Sequence, residues 1–350
     1  MTHTRRPGLR GRTAVTALLV ALTCGLAGCS TAPITDSAMA SAAPDEYLRS
    51  GTQTAVIDGP VVEPIAVDPP PALPVTVPSL GHGDVTVTDV SRIIPIDRGG
   101  TIANIVYSLG LGANVIAKSR AAGIPEAENL PVITDTGHAV NIEAVLQQNP
   151  TVVLIEESAT PPGTIDQLIA AGQTVVVLTS ERTITSTGPM IRDVAAALGV
   201  PEQGEQLATR TADQIKAAQE QVPDDARGAK MAFVYLRGPR LQLLAGPGSG
   251  ADDLITALGG VDAGTAAGLK SAFTTVTTEA MINADPDVIL VMTQGADSVG
   301  GIDEVVKLPG LSQTDAGRNN RVVQMDEAEV LTFGPNTGRV IAALAEAIYL

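Results

Sequence analysis

A repeat constrains the fold of this chain more than any other feature. NIEAVLQQNPTVVLI, residues 141–155, lines up with TTEAMINADPDVILV, residues 277–291: in each a glutamate stands seven positions before a proline, and each proline opens onto an apolar run. Asn141 and Thr277 are good N-cap residue types, Glu143 and Glu279 fall in the first turn where a helix favours negative charge, and Pro150 and Pro286 stop the helix before a strand. A helix handed to a strand twice over predicts two copies of one α/β unit, each needing helices to cover its sheet.

The rest of the pattern agrees. From Arg92 on, RIIPID, TVVLIEE and TVVVLTS read as strands, with ANVIAKS and PVIT as shorter ones, and TIANIVYSLG, TIDQLIAAG and GPMIRDVAAALG read as helices. PEQGEQLATRTADQIKAAQEQV is a long helical run with proline at its start, after which the alternation resumes at MAFVYLR. The expected fold is α/β: two Rossmann-like lobes with mainly parallel sheets, at 85–200 and 224–350, joined by a single long helix at 201–223, with a ligand cleft between them.

The N-terminal 84 residues have a different texture. Arg5, Arg6, Arg10 and Arg12 precede a short apolar stretch that closes on LAGC, Leu26 to Cys29, the pattern of a secretory signal (1–28) with a lipobox. Residues 29–84, rich in Pro, Ala, Ser and Thr, read as an extended spacer. Without residues 1–28 the chain keeps 18 basic and 38 acidic side chains, a net charge of −20, which argues against nucleic acid or anionic lipid as partner. Cys24 leaves with the signal, so the mature chain has no thiol pair for a disulfide.

With these parts in view, the chain resembles the class III solute-binding lipoproteins of ABC importers, a superfamily that captures corrinoids, ferric siderophores, haem or metal ions. It is most similar to the haemin-binding lipoproteins of the HmuT type, through GHAVNIEAVLQQNP around His138, FVYLRG around Tyr235 and FGPNTG at Phe333 to Gly338. The resemblance implies Cys29 as the lipidated residue on the outer face of the cell membrane. It also implies haem b held as cargo between the lobes, with His138 and Tyr235 as axial ligands and Arg237 beside the tyrosine. Glu143 and Glu279 would dock the lobes onto a permease that works with its ATPase, surface haem-donor proteins would supply the cargo, and the protein would act as a monomer. One position departs: where haemin binders carry an arginine after the FGP proline stands Asn336, which leaves Arg237 or Arg240 to meet a propionate.

The residues themselves support parts of this. In MAFVYLR a strand sends Phe233, Tyr235 and Arg237 to one face, so phenol and guanidinium share a surface. A phenol ligates well only as phenolate, which ferric iron and a neighbouring cation both favour. Met292 ends the second repeat's strand as Glu156 ends the first, and strand carboxyl ends line clefts in such folds, so its thioether is expected to touch the ligand. Enzyme motifs fail: GPGSGA at Gly246 to Ala251 lacks the βαβ setting of a dinucleotide site and is not G-x-S-x-G, and there is no Walker sequence. A multi-histidine metal site is excluded because His3 leaves with the signal and His82 lies in the spacer. The expectation is a binding protein without catalysis; a ferric siderophore or a corrinoid is the alternative cargo.

Overall fold

The computed structural model describes residues 46–224 and 227–349. Cys29, the lipobox and the signal sequence lie outside the described residues. In chain order the strands are β1 (Thr52–Thr54), β2 (Val75–Ser79), β3 (Gly83–Val87), β4 (Ile93–Ile96), β5 (Val152–Glu156), β6 (Val175–Leu178), β7 (Lys230–Arg237), β8 (Leu241–Ala245), β9 (Val261–Asp262), β10 (Phe273–Thr275), β11 (Val288–Met292) and β12 (Val322–Met325).

In the N-terminal lobe β4, β5 and β6 pair in parallel and every residue of the three is buried. Their sequences IIPI, VVLIE and VVVL are near-continuous apolar runs because helices cover both faces. Ile93, Leu154 and Val176 pack on one side, Ile94, Val153 and Val177 on the other. The C-terminal lobe has the order β1-β12-β11-β7-β8-β10, with β9 also on β7; β1, β12, β11, β7 and β9 are parallel, and β8 and β10 are antiparallel. The alternation in β7 holds: Met231 and Phe233 enter one core, Ala232, Val234 and Leu236 the other.

The repeat is visible in the backbone. Asn141 Oδ1 accepts from the Ala144 N–H at 3.1 Å and caps the helix Ile142–Gln147; Thr277 Oγ1 accepts from Ala280 N–H at 3.2 Å and caps Thr278–Ala284. Each helix leads to a left-handed residue just before the proline, Asn149 (φ 47°) and Asp285 (φ 39°). Asn and Asp tolerate that conformation better than other side chains.

Pro201–Glu220 is one helix of 20 residues, about 30 Å long, with Pro201 in its first turn. Leu207 and Ala208 near its start pack into the N-terminal lobe, Ile215 and Ala218 near its end into the C-terminal lobe. The helix therefore belongs to both cores.

The spacer expectation for residues 29–84 needs correction from Glu46 onward. Leu48, Ala55 and Ile57 are buried in the C-terminal core, and β1 extends that sheet beside β12. The chain then crosses to the other lobe, where Val62 joins the N-terminal core and Ile65 N–H donates to Ser108 O at 2.7 Å. Side chains hold the crossing: Asn336 Nδ2 donates to Val61 O at 2.6 Å, Arg339 to Pro60 O at 2.8 Å and Arg210 to Glu63 O at 2.6 Å. Farther on, β2 and β3 form an antiparallel hairpin whose Ser79 hydroxyl accepts from the Val177 N–H at 2.9 Å, and His82 lies exposed in its turn. Prolines fix the extended conformation that a strap needs, so composition alone does not separate it from a linker. The segment adds a second connection between lobes already joined by the long helix.

Leu48, 2% exposed, tests this directly. Leu48→Ala is expected to cost about 2–4 kcal/mol in urea unfolding, as for other buried leucines. A spacer residue would leave the midpoint unchanged.

Candidate functional site

His138 is held by a tight turn rather than by the helix that follows it. The Asp135 carbonyl accepts from His138 N–H at 3.2 Å, Asp135 N–H donates to Ala139 O at 2.9 Å, and Asp135 Oδ1 accepts from Gly137 N–H at 2.7 Å and Ala139 N–H at 2.9 Å. A three-residue turn of this kind ends on a left-handed residue, and His138 fills that place with φ 65°. The turn rests on Thr160 through the Ala139 bridge and the Val140 N–H, and so stands beside the loop that leaves β5.

The imidazole is half-buried and titrates below its ordinary value. Burial is the main cause, Arg98 and Arg120 add to it, and Asp135 and Glu156 oppose it. It is therefore neutral at pH 7, the form that can ligate a metal. Nδ1 is buried without a hydrogen-bond partner among the described residues.

On the other lobe, Tyr235 is half-buried near the end of β7. The Arg237 guanidinium lies 4.4 Å from the centre of its ring, and Arg237 Nη1 donates to Leu236 O at 2.8 Å. The Phe273 ring meets the tyrosine edge-on, centroids 6.1 Å apart at 64°. Register carries Met292 to the level of Tyr235, because Val291 pairs with Val234, and Met292 itself pairs with Met325. Tyr235, Arg237 and Met292 thus stand together at the carboxyl end of one sheet, while His138 stands near Glu156 at the carboxyl end of the other. Glu143 and Glu279 are exposed, each in the first turn of a capped helix. Arg240 is exposed in the turn from β7 to β8.

The two carboxyl-end rims meet along a seam that the sequence did not reveal. Arg182, just after β6, donates to Glu156 at 2.6 Å and lies 3.4 Å from Asp97, whose side chain is fully buried. Asp97 Oδ2 also accepts from the Thr101 N–H at 2.6 Å at the start of the helix Thr101–Ser108, and Oδ1 has no hydrogen-bond partner among the described residues. Two residues past Arg182, the Ile184 N–H donates to Asp253 of the other lobe, and the Thr101 hydroxyl donates to Thr332 O. Gly250 (φ 84°) is required here, since a Cβ would come within 2.9 Å of the Phe333 ring and 3.2 Å of Arg182 O. Two concavities of about 420 and 710 Å³ lie elsewhere, one against the C-terminal helix and one along the long linking helix, and neither includes His138 or Tyr235.

Two α/β lobes joined by a long helix, with polar and aromatic side chains gathered where strand carboxyl ends face each other, define a bilobed solute-binding protein. Residues 99–329 match the family model described as periplasmic binding protein, and the chain belongs to that family. Among solved structures it is similar to the heme binding protein HmuT, with a TM-score of 0.81 and 35% identity over 88% of this chain and 99% of that one. HmuT variants with a histidine, a tyrosine or an arginine changed to alanine match equally well, TM-score 0.81. It is also similar to the periplasmic heme-binding protein RhuT from Roseiflexus sp. RS-1, with a TM-score of 0.69 and 35% identity over 74% of this chain and 98% of that one. Among curated proteins, the uncharacterised ABC transporter substrate-binding lipoprotein YvrC of Bacillus subtilis (strain 168) is 26% identical over 79% of this chain and 86% of its own length.

Asp97 gives the seam a pH signature. Burial raises its carboxyl from 3.8 to about 6, against the pull of Arg182 and with Glu156 adding to the rise. Between those values the folded protein binds more protons than the unfolded chain, so stability falls as pH rises from about 4 to about 6, on the order of 2–3 kcal/mol in all. Thermal unfolding across that range is expected to show this slope in the parent and a flattened one in Asp97→Asn.

Proposed function

We propose that the chain is an extracytoplasmic haemin-binding lipoprotein, tethered through Cys29, that delivers ferric haem to an ABC importer. His138 from one lobe and Tyr235 from the other would bind the iron of haem b. The observation that carries this reading is the pairing of a neutral imidazole on one carboxyl-end rim with a phenol under a guanidinium on the other. The likeness to HmuT and RhuT, whose names state that they bind heme, supports the choice of cargo.

Tyr235 would give up its proton to solvent as its oxygen meets the iron. The Arg237 guanidinium, 4.4 Å from the ring centre, would stand beside the iron-bound oxygen's ring as a neighbouring cation. Phenolate favours the ferric state, the form expected outside the cell. With Nδ1 of His138 buried, Nε2 would be the nitrogen that meets the iron. Met292, level with Tyr235, would lay its thioether against the macrocycle. The protein would act as a monomer without catalysis, receiving haem from surface donor proteins and passing it to the permease and its ATPase.

Titration of the purified protein with haemin is expected to give the Soret band of a six-coordinate ferric species. His138→Ala and Tyr235→Ala should each abolish that spectrum and weaken binding by tenfold or more, roughly the worth of one axial bond. Unchanged spectra would remove the assignment. Preference for a ferric siderophore or a corrinoid in competition would replace haem as the cargo.

Glu143 and Glu279, one on each lobe, are proposed to dock onto basic residues of the permease. Changing both to Lys should leave haemin affinity unchanged and abolish uptake by cells. A loss of binding would instead put these glutamates in the cleft or the fold.

A further inference from the structure

We propose that Arg98 and Arg120 form an anion subsite beside His138 that takes the carboxylates of the cargo. This rests on the haem reading above, and it moves the propionate contacts from the tyrosine lobe to the histidine lobe.

Arg120 is fixed next to the histidine turn by two bonds: its N–H donates to Thr134 Oγ1 at 2.9 Å and its Nε to the Asp135 carbonyl at 3.3 Å. His138 bonds that same carbonyl. The remaining guanidinium nitrogens of Arg120 make no hydrogen bond or ion pair among the described residues. Arg98 leaves the carboxyl end of β4, where its backbone N–H donates to Glu156 Oε1 at 3.0 Å, and its charge, like that of Arg120, acts on the His138 imidazole. Its side chain is exposed and has no partner among the described residues.

The two acids beside the imidazole, Glu156 and Asp135, each make other contacts. Glu156, whose side chain is 2% exposed, is held by Arg182 at 2.6 Å and accepts from the Ser158 hydroxyl at 2.8 Å. Asp135 directs Oδ1 at two backbone N–H groups of its own turn. Guanidinium forks suit carboxylates, binding them through paired N–H donors.

On the tyrosine side the cations are placed differently. Arg237 stacks on the Tyr235 ring and donates to Leu236 O, so moving it onto a propionate would uncover the phenolate. Arg240 sits out in the β7 to β8 turn. Asn336, at the place where haemin binders carry an arginine, donates to Val61 O at 2.6 Å and braces the strap instead. A dianionic cargo edge is thus best met beside His138.

The test pairs a change in the protein with a change in the ligand. Binding of ferric protoporphyrin IX and of its dimethyl ester, which lacks the carboxylates, is measured for the parent, Arg98→Gln, Arg120→Gln, the double variant and Arg240→Gln. Each single variant is expected to weaken the free acid by about tenfold while keeping the parent's six-coordinate spectrum. The ester should bind the parent and the double variant alike, and Arg240→Gln should bind both ligands as the parent does. Equal weakening of acid and ester, a change of less than about twofold, or a loss that follows Arg240→Gln would overturn the subsite. A parent that shows no His/Tyr ferric spectrum with haemin overturns the haem reading first, and this inference with it. Unfolding midpoints check that the exposed arginines are not structural.

Discussion

Arg182 is the residue on which the rest of the arrangement turns. Its guanidinium neutralises Glu156 at the end of β5 and lies against the fully buried Asp97 at the end of β4, which accepts from the Thr101 N–H at the start of the helix that follows. Two residues later the chain is bonded to Asp253 in the other lobe. Buried ion groups of this kind contribute little net stability, because desolvation offsets much of the attraction. Removing one partner, however, leaves an uncompensated charge, so the set resists any other packing of the seam. The same neutralisation keeps Glu156 from dominating the field at His138, whose imidazole is pushed down by burial and two arginines.

Local rules carried far in this sequence. Capping by Asn141 and Thr277, the shared face of Tyr235 and Arg237, and the long helix from Pro201 all follow from neighbours within a few residues. Among the described residues the short runs ANVIAKS and PVIT, read as strands, make only isolated bridges, Val115 with Ile93, Lys118 with Val132 and Thr134 with Val140. Their partners set the extent of pairing, and strand preference is decided by such context.

What escaped was nonlocal. Asp97, Glu156 and Arg182 are 26 to 85 positions apart in the sequence and only meet because β4, β5 and β6 are adjacent. Phe273 reaches Tyr235 across β8. The strap from Leu48 to Val62 reads as a linker because its own sequence has no periodicity; what buries it is the C-terminal helix and the sheet edge. His138 was visible as a lone histidine after glycine. That the glycine and Asp135 form the turn which presents it was readable in principle from D-x-G-H, since Asp accepts from backbone N–H groups two positions on.

The two connections between the lobes bear on how a bridging ligand is bound. The long helix places side chains in both cores, and the strap enters one core at Leu48 and the other at Val62. The seam bonds at Ile184 and Thr101 tie the rims between these connections. The relative position of His138 and Tyr235 is therefore set by contacts that also hold the fold together. A ligand that spans both residues, as proposed, would meet a geometry held by these contacts, and less of its interaction energy would go into ordering the protein.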